Sequence, residues 1–176
     1  TREVNLDYAK AVSNYAESGL ESSLNVGAFD ERLEKDKKGR FKIGTVRNGY
    51  GWRTADVVAK NSPGEWVRDA FVKELRGAGC NVASDGKIEV SGTVRKLFTD
   101  ILFNYDADVT LRISLKDGEN VFYDDLFEGE AAPIAWFASS GEYGNASRQA
   151  LQDVMRKAVP AIISEIRKYE GKNEKK

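Results

Sequence analysis

Between Phe103 and Lys116 the chain alternates without a break. Phe103, Tyr105, Ala107, Val109, Leu111, Ile113 and Leu115 are apolar, and Asn104, Asp106, Asp108, Thr110, Arg112, Ser114 and Lys116 between them are polar. Successive side chains of an extended strand point to opposite faces, so this stretch has one dry face and one wet face. Such polarity belongs to an antiparallel sheet covered on one side; a strand covered on both sides would be apolar throughout. The rest of the chain must therefore supply neighbouring strands and an apolar layer for the dry face.

Both are present. Ile88, Val90, Gly92 and Val94 alternate with Lys87, Glu89, Ser91 and Thr93, and Val121 to Glu130 follows the turn Asp117-Gly118-Glu119-Asn120. These turns place the 103–116 strand between two others, so its edges are expected to be covered. Upstream, Leu24, Val26 and Ala28 form a short strand ending at Asp30-Glu31-Arg32. Ile43–Val46 and Ala55–Ala59 flank Asn48-Gly49-Tyr50-Gly51, a turn-rich stretch that reads as a hairpin. Two helices supply the cover. Ser62-Pro63-Gly64-Glu65 is a capping box with proline at the first helical position. Val67, Ala70, Phe71, Leu75 and Ala78 then mark one face, and Gly77 and Gly79 offer stops. The second helix presents Ala150, Leu151, Val154, Met155, Ala158, Ile162, Ile163 and Ile166, with Asn145 or Ser147 as its cap and a kink expected at Pro160.

The order ββ(β)-α-βββ-α predicts an α+β fold, with two helices on one face of a mainly antiparallel sheet. A length of 176 residues suits one domain. We divide the chain into an N-terminal arm (1–21), a single α+β domain (22–169) and a flexible C-terminal tail (170–176). Val4, Leu6 and Tyr8 in the arm alternate like a strand, whereas Val12, Tyr15 and Ala16 fall at helical spacing.

Chemistry is harder to find. The chain has no histidine, which removes the commonest general base and metal ligand. It carries no phosphate-cradling glycine loop, dinucleotide fingerprint or nucleophile elbow. Cys80 is the only cysteine, so an intrachain disulfide is impossible and a structural zinc site is not expected. We expect no enzyme activity, cofactor or metal. Asp106-Ala107-Asp108 could hold a hard cation, yet its carboxylates read better as part of a wet sheet face. Asp124 and Asp125 should point to opposite faces. With Lys+Arg 27 against Asp+Glu 28, nothing favours a nucleic-acid partner. One cluster (Lys35, Lys37, Lys38, Arg40 and Lys42) is basic and reads first as a solvated loop. No stretch approaches the 18 or so apolar residues of a membrane helix. The chain starts at Thr1 without Met, as after removal of a tag or a targeting segment.

The aromatic residues are more suggestive. Residues 131–138 form an apolar run (Ala-Ala-Pro-Ile-Ala-Trp-Phe-Ala) between the last strand and the last helix, and Tyr50 and Trp52 lie in the hairpin turn. Either these rings fold back over the open end of the core, or they mark a contact surface. In the second case Trp136 and Phe137 are the expected anchors, with Ile134, Tyr50 and Trp52 beside them.

Asp30-Glu31-Arg32 at the end of the first strand, Gly79-Cys80-Asn81-Val82 after the first helix, Ile88-Glu89-Val90-Ser91, Tyr105-Asp106-Ala107-Asp108-Val109 and the closing Asn145–Ile166 helix together resemble the YajG-type lipoproteins of the Gram-negative envelope. The resemblance covers roughly residues 22–168. It implies a precursor with a signal peptide and a lipidated cysteine upstream of Thr1, a periplasm-facing domain on the outer membrane, and no catalytic or binding residues to carry over. The expected role is a non-catalytic binding or assembly module whose partner is an envelope protein, peptide or glycan. The competing reading is a carboxylate-only hydrolase acting on a cell-wall glycan, which needs two acids flanking a cleft. A third is assembly through an exposed sheet edge.

Overall fold

A computed structural model describes residues 1–9, 12, 15–135 and 139–176. Among them, β1 (Arg2–Val4), β2 (Leu24–Glu31), β3 (Lys42–Arg47) and β4 (Arg53–Ala59) precede helix α1 (Pro63–Gly77), and β5 (Ile88–Ile101), β6 (Tyr105–Asp117) and β7 (Asn120–Ala131) precede helix α2 (Ser140–Asn173). The fold is α+β, and the order is the one expected, with one strand added at the N-terminus. All strands join a single seven-stranded sheet that is mostly antiparallel.

Strand β5 is the hub. One edge pairs with β6 along its whole length, from Ile88↔Asp117 to Ile101↔Tyr105, with one register shift after Val94. The other edge is shared: β2 pairs in parallel with its first half and β3 in parallel with its second. The close approaches need glycine. A Cβ at Gly44 would stand 2.2 Å from the Thr99 carbonyl oxygen, and one at Gly92 would stand 1.9 Å from that of Arg112. As expected, β6 lies between β5 and β7 and offers no free edge.

The dry face of β6 is as dry as its sequence implies: Tyr105, Ala107, Val109, Leu111, Ile113 and Leu115 are all buried. Helix α2 covers them. At Gly129 of β7 its backbone comes so near that a Cβ would meet the Ala150 oxygen at 2.4 Å and the Val154 nitrogen at 2.6 Å. Helix α1 starts where the capping box places it, with Ser62 Oγ accepting from Glu65 N at 3.1 Å. The Ser62 hydroxyl and Gly64 N–H both donate to the Glu31 carboxylate, which ties the helix start to the end of β2.

Four details depart from the sequence reading. The stretch read as an arm carries β1, which pairs in parallel with β4, and Val4, Leu6 and Tyr8 are buried in the core. Its alternation was a strand signal, and specific bonds continue it: Asn61 brackets the backbone of Leu6 at 2.8 and 2.9 Å, and Tyr8 OH donates to the buried Glu74 at 2.6 Å. Helix α2 begins earlier than expected, because Ser139 and Glu142 form a capping box; Ser147 is instead buried, its hydroxyl 3.1 Å from that of Thr99. The helix, with Pro160 inside it as the pattern implied and on its exposed side, runs on to Asn173, into the stretch read as a tail. Finally, Phe103 precedes β6 and is exposed, although its phase placed it on the dry face.

Candidate functional site

Five of the large apolar side chains left in solvent gather at one end of the sheet: Tyr50 is 90% exposed, Trp52 73%, Leu102 49%, Phe103 79% and Ile134 65%. Local hydrogen bonds fix the backbone around Tyr50, Trp52 and Ile134. The β3–β4 turn is organised by Asn48, whose Oδ1 accepts from the backbone N–H of Tyr50 (3.1 Å) and of Trp52 (3.0 Å). Gly51 takes the positive φ of 82° that the turn requires. Asparagine bonded to its own following backbone is a common turn device, and here it fixes the turn that carries both exposed rings.

The turn is also fastened to the sheet. Arg47 Nε reaches both oxygens of Asp100 at 2.9 and 2.8 Å, its Nη1 donates to the Gly51 carbonyl at 3.1 Å, and Thr45 Oγ1 donates to Asp100 at 2.7 Å. Burial works to raise the Asp100 carboxyl, but these donors outweigh it and hold it below the ordinary carboxylate range. Asp100 therefore serves as an ionised anchor between β5 and the hairpin.

Leu102 and Phe103 occupy the β5–β6 connection, just past the last pair Ile101↔Tyr105. Ile134 is brought alongside by a bridge to Asn104 and by the Tyr105 N–H, which donates to the Pro133 carbonyl at 3.0 Å. Behind this rim lies a buried layer. The Tyr105 and Tyr143 rings meet edge to face with centroids 4.8 Å apart; Tyr105 OH donates to Glu142 at 2.8 Å, and Tyr143 OH donates to the Thr45 carbonyl at 2.9 Å.

Of the residues singled out from sequence, Tyr50, Trp52 and Ile134 share this end of the sheet. Trp136 and Phe137 lie outside the described residues. Leu102 and Phe103 were missed as surface residues. The signal was available: Ile101-Leu102-Phe103 is three apolar residues in a row, which breaks the alternation on either side. Chemically the rim offers apolar contact area from rigid rings, the kind of surface that binds partners.

The other candidates have ordinary occupations. Asp106 and Asp108 share the wet face and border, with Glu130, a surface depression of about 330 Å³; Asp108 is bound to Lys96 at 3.1 Å. Asp124 pairs across the sheet with Ser114 on that face and receives Arg112 through two bonds of 2.8 Å, whereas Asp125 stands opposite Ile113. Among the described residues no group of three or more Asp, Glu or Cys side chains is placed to hold a metal. Cys80 is buried, and that burial pushes its thiol pKa up despite a bond with Ser18. No described helix is long and apolar enough to cross a membrane.

No protein-family model matches the chain, and no curated protein matches it. Solved structures do. The crystal structure of protein XCC0632 from Xanthomonas campestris, assigned to family DUF330, superposes at a TM-score of 0.68 over 97% of this chain and 99% of its own, at 15% identity. An uncharacterised protein follows at a TM-score of 0.53 and 10% identity, covering 92% and 99%. A PelC dodecamer from Paraburkholderia phytofirmans is more distant, at 0.42 and 11% identity over 83% and 95%. The chain thus has the fold of a DUF330 protein over nearly its full length.

Proposed function

We propose that this protein is a non-catalytic binding or assembly module of the YajG-type envelope lipoproteins, held on the outer membrane by a lipidated cysteine upstream of Thr1 and facing the periplasm. The observation that carries the binding role is the aromatic rim. Large rings cost apolar exposure when left in water, yet Tyr50 and Trp52 stand exposed on a hydrogen-bonded turn rather than folded onto the core. The residue pattern over 22–168 and the fold shared with a DUF330 protein support the family reading. Under this reading the partner is an envelope protein, a peptide or a glycan.

The test is photocrosslinking in the native envelope, with a crosslinking residue placed at Trp52 or Phe103 and, as a control, at Arg112 on the wet face. A discrete adduct from the rim positions and none from Arg112 is the expected result. Equal or absent crosslinking at all three would remove the rim as a binding site. The anchor is read separately, by labelling the native precursor with radioactive palmitate.

A further inference from the structure

We propose that the loop between β2 and β3 is a membrane-surface contact, in which Lys35, Lys37 and Lys38 rest on anionic lipid headgroups and direct the aromatic rim away from the bilayer. The orientation rests on the lipid-anchor reading; the contact itself rests on the loop.

This loop is built, not slack. Lys35 and Phe41 bridge its base. Inside it, Asp36 accepts from the backbone N–H groups of Lys38 and Arg40, both at 2.9 Å, and Gly39 turns the chain at a φ of 78°. Its charges fall into two groups. Arg40 is held by Asp36 and Glu3, and Lys42 by Glu34. Arg40 bonding lowers the Asp36 carboxyl to about 2, so that carboxylate stays ionised and committed. Lys35, Lys37 and Lys38 are exposed, and none has a carboxylate in ion-pair range among the described residues. Lys35 stands over the Phe41 ring at 4.4 Å, which props its ammonium at the loop surface. The three cations thus project from a rigid platform whose own acids are already used.

Place decides the ligand. Thr1 lines the same hollow of about 480 Å³ as these lysines. An anchor attached upstream of Thr1 would therefore reach the bilayer beside the loop. A lipid chain and a basic patch together are the usual two signals of stable attachment. Strand β3 runs from Lys42 at the loop to Arg47 at the hairpin tip. The rim then stands roughly 17 Å further out, at about 3.3 Å per residue. A nucleic acid is disfavoured: three lysines on one turn make no extended basic face, and the net charge is −1.

The test is co-sedimentation of the purified chain with phosphatidylcholine vesicles, with and without phosphatidylglycerol. Binding is expected only to the anionic vesicles and should fade with salt. Each lysine near an anionic surface raises partitioning roughly fivefold, so Lys35→Gln/Lys37→Gln/Lys38→Gln should lower it by at least about tenfold. The control Lys172→Gln/Lys175→Gln/Lys176→Gln removes as much charge elsewhere and should change little. Absent binding, an equal loss in the control, loss on Trp52→Ala, or capture of the chain from the vesicles by single-stranded DNA would each overturn the proposal. Palmitate labelling of the precursor separates the two readings. Vesicle binding by a chain whose precursor takes up no palmitate keeps the loop contact and ends the anchor; a labelled precursor whose chain ignores anionic vesicles does the reverse.

Discussion

Phe103 and Tyr105 are two residues apart and in phase, yet Phe103 is 79% exposed and Tyr105 1%. Tyr105 is the first residue of β6 paired to β5, and its ring packs on Tyr143 of α2. Phe103 lies two residues beyond the last pair, in the connection between β5 and β6. Alternation reports burial only where the strand is paired and a second layer lies on it. Past that point the same phase carries no burial, and the sheet end becomes a rim.

The comparison is broken most forcefully from the buried side. Tyr105→Ala should cost about 3–5 kcal/mol, the usual range for deleting a fully buried aromatic ring, read from urea unfolding. A loss under about 1 kcal/mol would mean that the covered end is no better packed than the rim.

Gly129→Val asks how tightly the cover is laid. A Cβ there would overlap the α2 backbone rather than a movable side chain, so the helix must shift. Overpacking of this kind should cost about 1–3 kcal/mol. The same change at Gly49, where a Cβ meets nothing within 4 Å, should cost much less.

Legibility follows the same boundary. Strands β5 to β7 could be read because their periodicity and turns are local. Helix α1 could be read from Ser62-Pro63-Gly64-Glu65. The parallel pairing of β2 and β3 with β5 could not, because neither strand carries a sign of its distant partner. Val4-Leu6-Tyr8 was visible as alternation, but its place beside β4 depends on contacts with Asn61 and Glu74 far along the chain. At the rim, Tyr50, Trp52 and Ile134 were legible as apolar residues in turn-like sequence. Their gathering at one end is a product of topology.

A smaller effect separates packing from hydrogen bonding in the covered layer. Tyr143→Phe keeps the ring and removes the bond to the Thr45 carbonyl, which should cost about 1 kcal/mol. Burial pushes the Tyr143 phenol up to about 12, against about 10 in an unfolded chain. Unfolding therefore releases a proton between these values. The stability from this group is whole below about pH 10 and declines as pH rises toward 12. Melting temperatures across that window should fall less steeply for Tyr143→Phe than for the parent; identical slopes would show that the phenol is not shielded.

The smallest effect belongs to the rim and tests it most directly. Trp52→Ala removes a ring that is 73% exposed and leaves in place the Trp52 backbone N–H that donates to Asn48 Oδ1. Such a change should move stability by no more than about 0.5 kcal/mol. Emission supplies a second readout, because the difference between parent and variant isolates Trp52. That component should be quenched readily by acrylamide, whereas Trp66, buried with its indole N–H donating to the Asp7 carbonyl at 2.8 Å, should resist. A Trp52→Ala chain that melts far below the parent, or a Trp52 signal as protected as that of Trp66, would mean that this ring seals the core. The hairpin would then belong with Tyr105 and not with Phe103. Near-neutral stability with open quenching leaves the ring free to meet a partner, since its removal costs the fold little while withdrawing a large rigid contact from the surface.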